Sequence, residues 1–260
     1  MTFETRAVAF LDILGFKDLI KKVEANEQEA CRQFNAFITV VNAFVSFDNK
    51  SLSTLMPKNV QPKYIFVSDS IILSAPLQEN GYDGLVAVTL KAIQLTHKLL
   101  EFGLSIRGGI AVGNVLHEPA NIFGSAFSEA IDLEKKANYP RILLSDNAAS
   151  HLDRANQFTT PLKELPLWIN DEQQRIVNTF NPYYINGTEQ HGRIESAFNQ
   201  YRIYISENLN KYECDLRIKA KWNWLAKSFN KALLDHGIGV NPIDLPPNKG
   251  EITIGNRPLD

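Results

Sequence analysis

The sequence predicts an α+β fold: a mixed sheet containing antiparallel pairs, with helices packed on it and a mainly helical C-terminal extension. Three observations carry this. An apolar run, Ala7-Val8-Ala9-Phe10-Leu11, stops at Asp12 and resumes after Gly15 at helical spacing as Phe16, Leu19 and Ile20. Two further apolar runs, residues 63–67 and 71–75, are separated only by Ser68-Asp69-Ser70, the signature of a tight hairpin. The order from the N-terminus is then strand, helix, hairpin, helix, strand, helix, strand, which builds a layer of helices on a mixed sheet.

Each element has its own justification. Residues 15 to about 23 read as a helix, and 24–27 as a break. From 28 to about 47, Phe34, Phe37, Ile38, Val41 and Phe44 share one helical face. Residues 49–61 are largely polar with a proline, Pro57, and read as a loop. Residues 82–102 form an amphipathic helix with Leu85, Val88, Leu95 and Leu99 inward, ended by Gly103. The next strand, 104–112, contains Gly108-Gly109, which marks a bulge or a close backbone approach. Residues 121–124 lead into a helix over 125–137, followed by a strand at 141–144 and a helix at 146–152. Residues 157 to about 192 read as short irregular strands or loops. Two amphipathic helices follow, one with Ile194, Phe198, Tyr201, Ile205 and Leu209 on a face, the other with Ile218, Trp222, Leu225 and Phe229. Pro242, Pro246 and Pro247 end helical structure, and a loose tail closes the chain. The expected division is a catalytic domain over 1–155 and an extension over 156–260.

Composition excludes several functions. The 260 residues carry a net charge of −2 and 44% hydrophobic residues, an ordinary globular balance that offers nucleic acid no basic surface. No apolar run is long enough to span a bilayer, and the first residues do not read as a signal peptide, so a cytoplasmic protein is expected. Cys31 and Cys214 make no disulfide framework, which fits a reducing compartment. The five histidines lack zinc-ligand spacing and read as surface or structural residues.

The candidate chemistry lies in two acids at strand ends. Asp12 sits at a strand-to-helix junction, where it is either a helix N-cap or a ligand for a hard cation. Asp69 sits at a hairpin tip, where it is either a turn aspartate or a second ligand. Two carboxylates at one point repel unless a cation joins them, and such a cation keeps positions for substrate phosphates. Backbone amides of Leu14, Gly15 and Phe16 at the start of the next helix suit a phosphate.

In order and spacing, five segments resemble the class III nucleotidyl cyclases. Phe10-Leu11-Asp12-Ile13-Leu14-Gly15-Phe16 is similar to their opening metal motif, and Val67-Ser68-Asp69-Ser70 to their second metal aspartate. Ile106-Arg107-Gly108-Gly109-Ile110-Ala111-Val112-Gly113 resembles their glycine-rich strand. The stretch from Phe123-Gly124-Ser125 through Leu133-Glu134 resembles their ribose- and transition-state-binding helix, and Tyr139-Pro140-Arg141-Ile142-Leu143-Leu144-Ser145 the strand that follows.

The resemblance implies the fold of that family and two Mn2+ or Mg2+ ions held by Asp12, the Ile13 carbonyl and Asp69. It also implies a triphosphate gripped by Arg141 and the amides of 14–16, and a head-to-tail homodimer with shared sites. Departures point to the substrate. Ile65 and Asn121 fall where purine cyclases carry a base-reading lysine and acid, Ser128 replaces the ribose asparagine, and Asp132 replaces the transition-state arginine. Arg107 and Lys136 are the candidate replacement cations, Arg107 preferred. The pattern resembles the pyrimidine cyclases of the bacterial Pycsar anti-phage system, which implies UTP or CTP as substrate, UTP preferred. It also implies a cyclic nucleotide product acting on a separate effector protein. The alternatives are an adenylate or guanylate cyclase, or a non-catalytic nucleotide-binding module on the same fold.

Overall fold

The computed structural model describes residues 2–47, 62–79, 82–156, 166–182 and 191–245. The elements expected at 49–61, 157–165, 183–190, Pro246, Pro247 and the tail lie outside these.

The first strand, β1 (Glu4–Ile13), runs straight into α1 (Phe16–Glu24) and α2 (Gln28–Phe47). The hairpin is β2 (Lys63–Val67) and β3 (Ser70–Pro76), followed by the minor pair β4 (Gln78–Glu79) and β5 (Tyr82–Asp83). Next come α3 (Gly84–Leu100), the long β6 (Ile106–His117), β7 (Ile122–Gly124) and α4 (Ser125–Lys136). The chain continues through β8 (Ile142–Leu144), α5 (Asp146–Asn156), β9 (Trp168–Asp171) and β10 (Gln174–Val177). It ends in two long helices, α6 (His191–Lys211) and α7 (Leu216–His236). The expected α+β architecture is what the chain forms.

The main sheet has the order β2-β3-β1-β6-β8-β10-β9, with β7 pairing onto β6. Among the described residues only β6 and β8 run parallel, and the other pairs are antiparallel. Because β1 lies between β3 and β6 with helices on both faces, its residues are buried whichever way they point. That is why it reads as an unbroken apolar run rather than an alternation. Ala7, Ala9, Leu11 and Ile13 meet Leu85, Val88, Leu95 and Leu99 of α3 on one face. Val8 meets Ala126 and Ala130 of α4 on the other. Gly109 makes the second contact possible, since a Cβ there would run into the Ala130 carbonyl oxygen and the Leu133 side chain. The glycine pair therefore marks close approach.

Several expectations need correction. Asp12 does not cap α1: it stays inside β1, and Gly15 occupies the cap position in the left-handed region at φ 79°. Ile38 faces outward, while Val40 joins Phe37 and Val41 in the core. The helix α3 starts at Gly84, not Tyr82, and Asp83 caps it, its carboxylate accepting from the Leu85 and Val86 amides. The strand β6 extends five residues past Val112 and pairs with β7, which the sequence did not announce. Gly237, left-handed at φ 61°, stops α7 before Pro242 is reached. The hairpin β9–β10 joins the main sheet through Ile176 beside Leu143.

The two C-terminal helices pack through Phe198, Tyr201, Ile205, Leu225 and Phe229 and reach the sheet layer through Leu100. His97 of α3 fastens the join. Its Nε2 faces the Asn181 carbonyl oxygen at 3.2 Å, so Nε2 carries the proton, and Nδ1 accepts from the Tyr201 hydroxyl at 3.1 Å. Burial lowers its pKa to about 4.

A histidine that is neutral when folded and ordinary when unfolded binds its proton first in the unfolded chain. Its contribution is complete above about pH 6.5 and is lost as the pH falls toward 4. For His97 the expected loss between pH 7 and pH 5 is about 2 kcal/mol. Urea midpoints at the two pH values measure it, and the loss should shrink in His97→Phe.

Candidate functional site

Register places the candidate residues in one row at the end of the sheet. Asp12 stands opposite Ser70 of β3 on one side and Arg107 of β6 on the other. Gly108 pairs with Ile142, which brings Arg141 beside Arg107. Residues directly opposite in a sheet point to the same face, so Asp12, Arg107 and Arg141 share a side.

The β2–β3 turn is two residues, Ser68-Asp69, with Ser68 left-handed at φ 57°. The Ile13 amide donates to the Asp69 carbonyl oxygen at 3.0 Å, tying the turn to the end of β1. The two acids, 57 positions apart in sequence, thus meet at one corner. Their charges sense one another: burial chiefly raises the Asp12 pKa, Asp69 raises it further, and Arg107 opposes both.

Arg107 is the hub. Its Nε lies 3.2 Å from Asp12 Oδ2 and 2.5 Å from Glu134 Oε1 of α4. The Asp12 side chain is 18% exposed and that of Glu134 7%. Burial raises the Glu134 pKa, Arg107 lowers it, and Asp12 raises it. From the sequence Glu134 reads only as part of a helix. Its role beside Arg107 comes from α4 lying on Gly109, which no local pattern announces.

The structure brings some expected residues together and separates others. Gly15 is exposed, with nothing within 4 Å of where a Cβ would stand, so its backbone is open to a ligand. The Leu14 amide is not available for phosphate, because it donates to the Ser105 carbonyl oxygen at 2.9 Å. Phe16 turns its ring into the core against Phe37. Arg141 does not present a free fork: it is 4% exposed, its Nη1 lies 2.5 Å from Asp171 and 3.3 Å from Glu172, and its guanidinium lies over the Tyr139 ring. Trp224 of α7 donates to the same Asp171 carboxylate.

Asn121 is exposed at the far end of β6, where its carbonyl oxygen accepts from Glu118. The end of β6 beside it, His117, is ten residues along the strand from Arg107, roughly 33 Å at about 3.3 Å per strand residue. Ser128, on the exposed side of α4, donates to the Gly124 carbonyl oxygen. Asp132 is exposed and paired with Lys135, and Lys136 ends α4 in solvent. Within one chain, Asn121 cannot reach the Asp12 corner.

The residues at that corner fit a hard cation. Two carboxylates supply oxygen donors of the kind Mn2+ and Mg2+ prefer, and the burial and mutual repulsion that raise the Asp12 pKa are what a cation would relieve. Among the described residues no group of three or more His, Cys, Asp and Glu is arranged to hold a metal by itself. The remaining positions would fall to substrate and water. Among the described residues, too, no helix is long and apolar enough to cross a membrane.

No family model matches this sequence, and no curated protein matches it. Among solved structures the chain is similar to the adenylyl cyclase CyaB from P. aeruginosa, at 16% identity and TM-score 0.44, over 68% of this chain and 93% of that one. It is similar to an adenylate/guanylate cyclase/hydrolase from Silicibacter pomeroyi at 16% identity and TM-score 0.37, over 68% and 96%. The guanylyl cyclase domain of the RhoGC fusion protein from the aquatic fungus Blastocladiella emersonii gives 13% identity and TM-score 0.40, over 67% and 94%.

Arg107→Met removes the cation that Asp12 and Glu134 share. A half-buried pair left without its partner costs about 1–3 kcal/mol. Glu134→Gln added to Arg107→Met should recover part of that loss, a coupling that urea midpoints of the single and double variants measure.

Proposed function

We propose that this protein is a nucleotidyl cyclase that converts a pyrimidine nucleoside triphosphate, UTP in preference, to its 3′,5′-cyclic monophosphate and pyrophosphate. The observation that carries the reading is the meeting of Asp12 and Asp69 at one sheet corner, beside the exposed backbone of Gly15 at the start of α1. In the reaction the ribose 3′-oxygen bonds to the α-phosphorus, the bond to the bridging β-oxygen breaks, and the hydroxyl proton leaves to solvent. Asp12, Asp69 and the Ile13 carbonyl would hold a divalent cation, which would supply positive charge favouring the ionised hydroxyl and the phosphate oxygens.

The chain's own groups divide the remaining work. Arg107 brings a fixed positive charge beside the carboxylates, where charge gathers on the α-phosphate. Glu134 holds the Arg107 fork in place from α4. The amides of Gly15 and Phe16 face the triphosphate at a helix N-terminus. Asn121 and Ser128 read the base and ribose from a second copy of the chain, because one chain keeps Asn121 remote from Asp12. Val67 beside the acid corner and Phe123 beside Asn121 are 58% and 56% exposed. A head-to-tail pair would cover both, as apolar side chains at an interface require.

Support for a pyrimidine comes from the residues in the base-reading places. Ile65 packs in the apolar cluster under α4 and offers no hydrogen bond, and the Asn121 amide carries one donor set and one acceptor that suit either pyrimidine edge. By the likeness to anti-phage pyrimidine cyclases, the cyclic product would act on a separate effector protein.

Turnover of the four nucleoside triphosphates with Mn2+, followed by mass spectrometry, tests the reading. Cyclic UMP is the expected main product. Cyclic CMP would make the enzyme a cytidylate cyclase, and faster turnover of ATP or GTP would defeat the pyrimidine assignment. Asp12→Ala and Asp69→Ala should each abolish turnover while leaving the circular dichroism spectrum unchanged. Phe123→Glu should shift the protein from dimer to monomer in size-exclusion chromatography and remove activity with it.

A further inference from the structure

Between the sheet corner and the C-terminal helices lies a cavity of about 230 Å³. One wall is the loop after β1 with α1, including Gly15 and Lys22. The other is the end of α6 and the start of α7, including Lys211 and Lys221. Three ammonium groups and one carboxylate, Asp18, therefore border a space that opens onto the backbone expected to meet the phosphates, a net positive lining.

The central one is Lys221. It is half-buried on the second turn of α7 and lies within reach of the charges on both Arg107 and Asp12. The groups facing it are Arg107 and Arg217, which repel it, and Asp12 and Asp215, which attract it. Burial is the largest influence on its pKa and lowers it, and the arginines lower it further. Neither aspartate is dedicated to Lys221. Asp12 is paired with Arg107, and Asp215 caps α7 by accepting from the Arg217 and Ile218 amides. A half-buried cation among cations lacks an anion of its own.

Arg141, the residue expected to fill that role for the triphosphate, is held by Asp171 and Glu172. The hairpin that holds it and the helix that carries Lys221 both belong to the C-terminal part of the chain. They are joined by the bond from Trp224 to Asp171. The same segment thus removes one cation from the cleft and delivers another.

We propose that Lys221 contacts the β- and γ-phosphates of the bound triphosphate, with Lys22 on the opposite wall, and so takes the place of Arg141. The C-terminal helices are then part of the active site. This inference rests on the cyclase reading for its substrate, and on the cavity and its charges for its location.

The test uses the full-length protein and two probes: inorganic tripolyphosphate with Mg2+, followed by calorimetry, and steady-state kinetics with the best nucleotide. Lys221→Gln should weaken tripolyphosphate binding and raise KM about tenfold, the value of one charge-assisted contact, while kcat changes far less. Lys221→Arg should restore most of both. Arg141→Gln should leave tripolyphosphate binding near that of the wild type. Wild-type affinity for tripolyphosphate in Lys221→Gln, with unchanged melting temperature, would overturn the proposal. So would higher turnover in Lys221→Gln, since the helix would then be blocking the cleft. If wild-type protein binds tripolyphosphate through Lys221 but cyclises no nucleotide, the cyclase reading fails and the phosphate site stands. If it cyclises a nucleotide with no dependence on Lys221, the reverse holds.

Discussion

The ion pair at the end of the sheet is the constraint on which the rest depends. Asp12 is a carboxylate at the mouth of an apolar layer, beside a second carboxylate on the neighbouring turn. Such an arrangement is unfavourable unless positive charge is brought to it. Arg107 brings that charge from the adjacent strand, directly opposite Asp12, and shares it with Glu134 from the covering helix. One guanidinium thereby links two strands and a helix.

That geometry requires α4 to sit close to the sheet. Gly109 lets it do so, because the helix backbone at Ala130 occupies the space a side chain would take. Gly108, one residue earlier, lies against Phe10 and Leu11 of β1 on the opposite face. With a larger residue at 109 the helix would lift, and Glu134 would move away from Arg107. Packing and electrostatics here are one requirement: the close approach that fills the core also delivers the carboxylate that orients the arginine.

The C-terminal segment is tied to this corner at several points. Its hairpin extends the sheet past β8 and takes hold of Arg141. Its helices bury Phe198, Tyr201 and Phe229 against each other and lock onto α3 through His97. A buried, fully hydrogen-bonded histidine and a buried ion pair both demand specific partners, so the segment has a defined seat on the sheet layer. The cavity it closes over Gly15 follows from that seat.

Local pattern carried much of this. The apolar run into Asp12, the acid at the hairpin tip and the glycine pair in β6 are short-range signals, and each reports a requirement of its own strand or turn. The helices α2, α3, α6 and α7 were legible because burial on one side imposes a 3.6-residue period. Partnerships were not legible. That Arg107 stands opposite Asp12, that Glu134 reaches Arg107, that Arg141 is claimed by Asp171 and that the Leu14 amide is taken by Ser105 depend on register and on long-range packing. A strand shifted by one residue would exchange faces and break every one of these pairs without changing any local propensity. The sequence by itself determined which residues could carry the chemistry and which elements would hold them. Only the tertiary structure decided which charges meet, because charges interact through space and the chain brings them together from 57, 95 and 30 positions away.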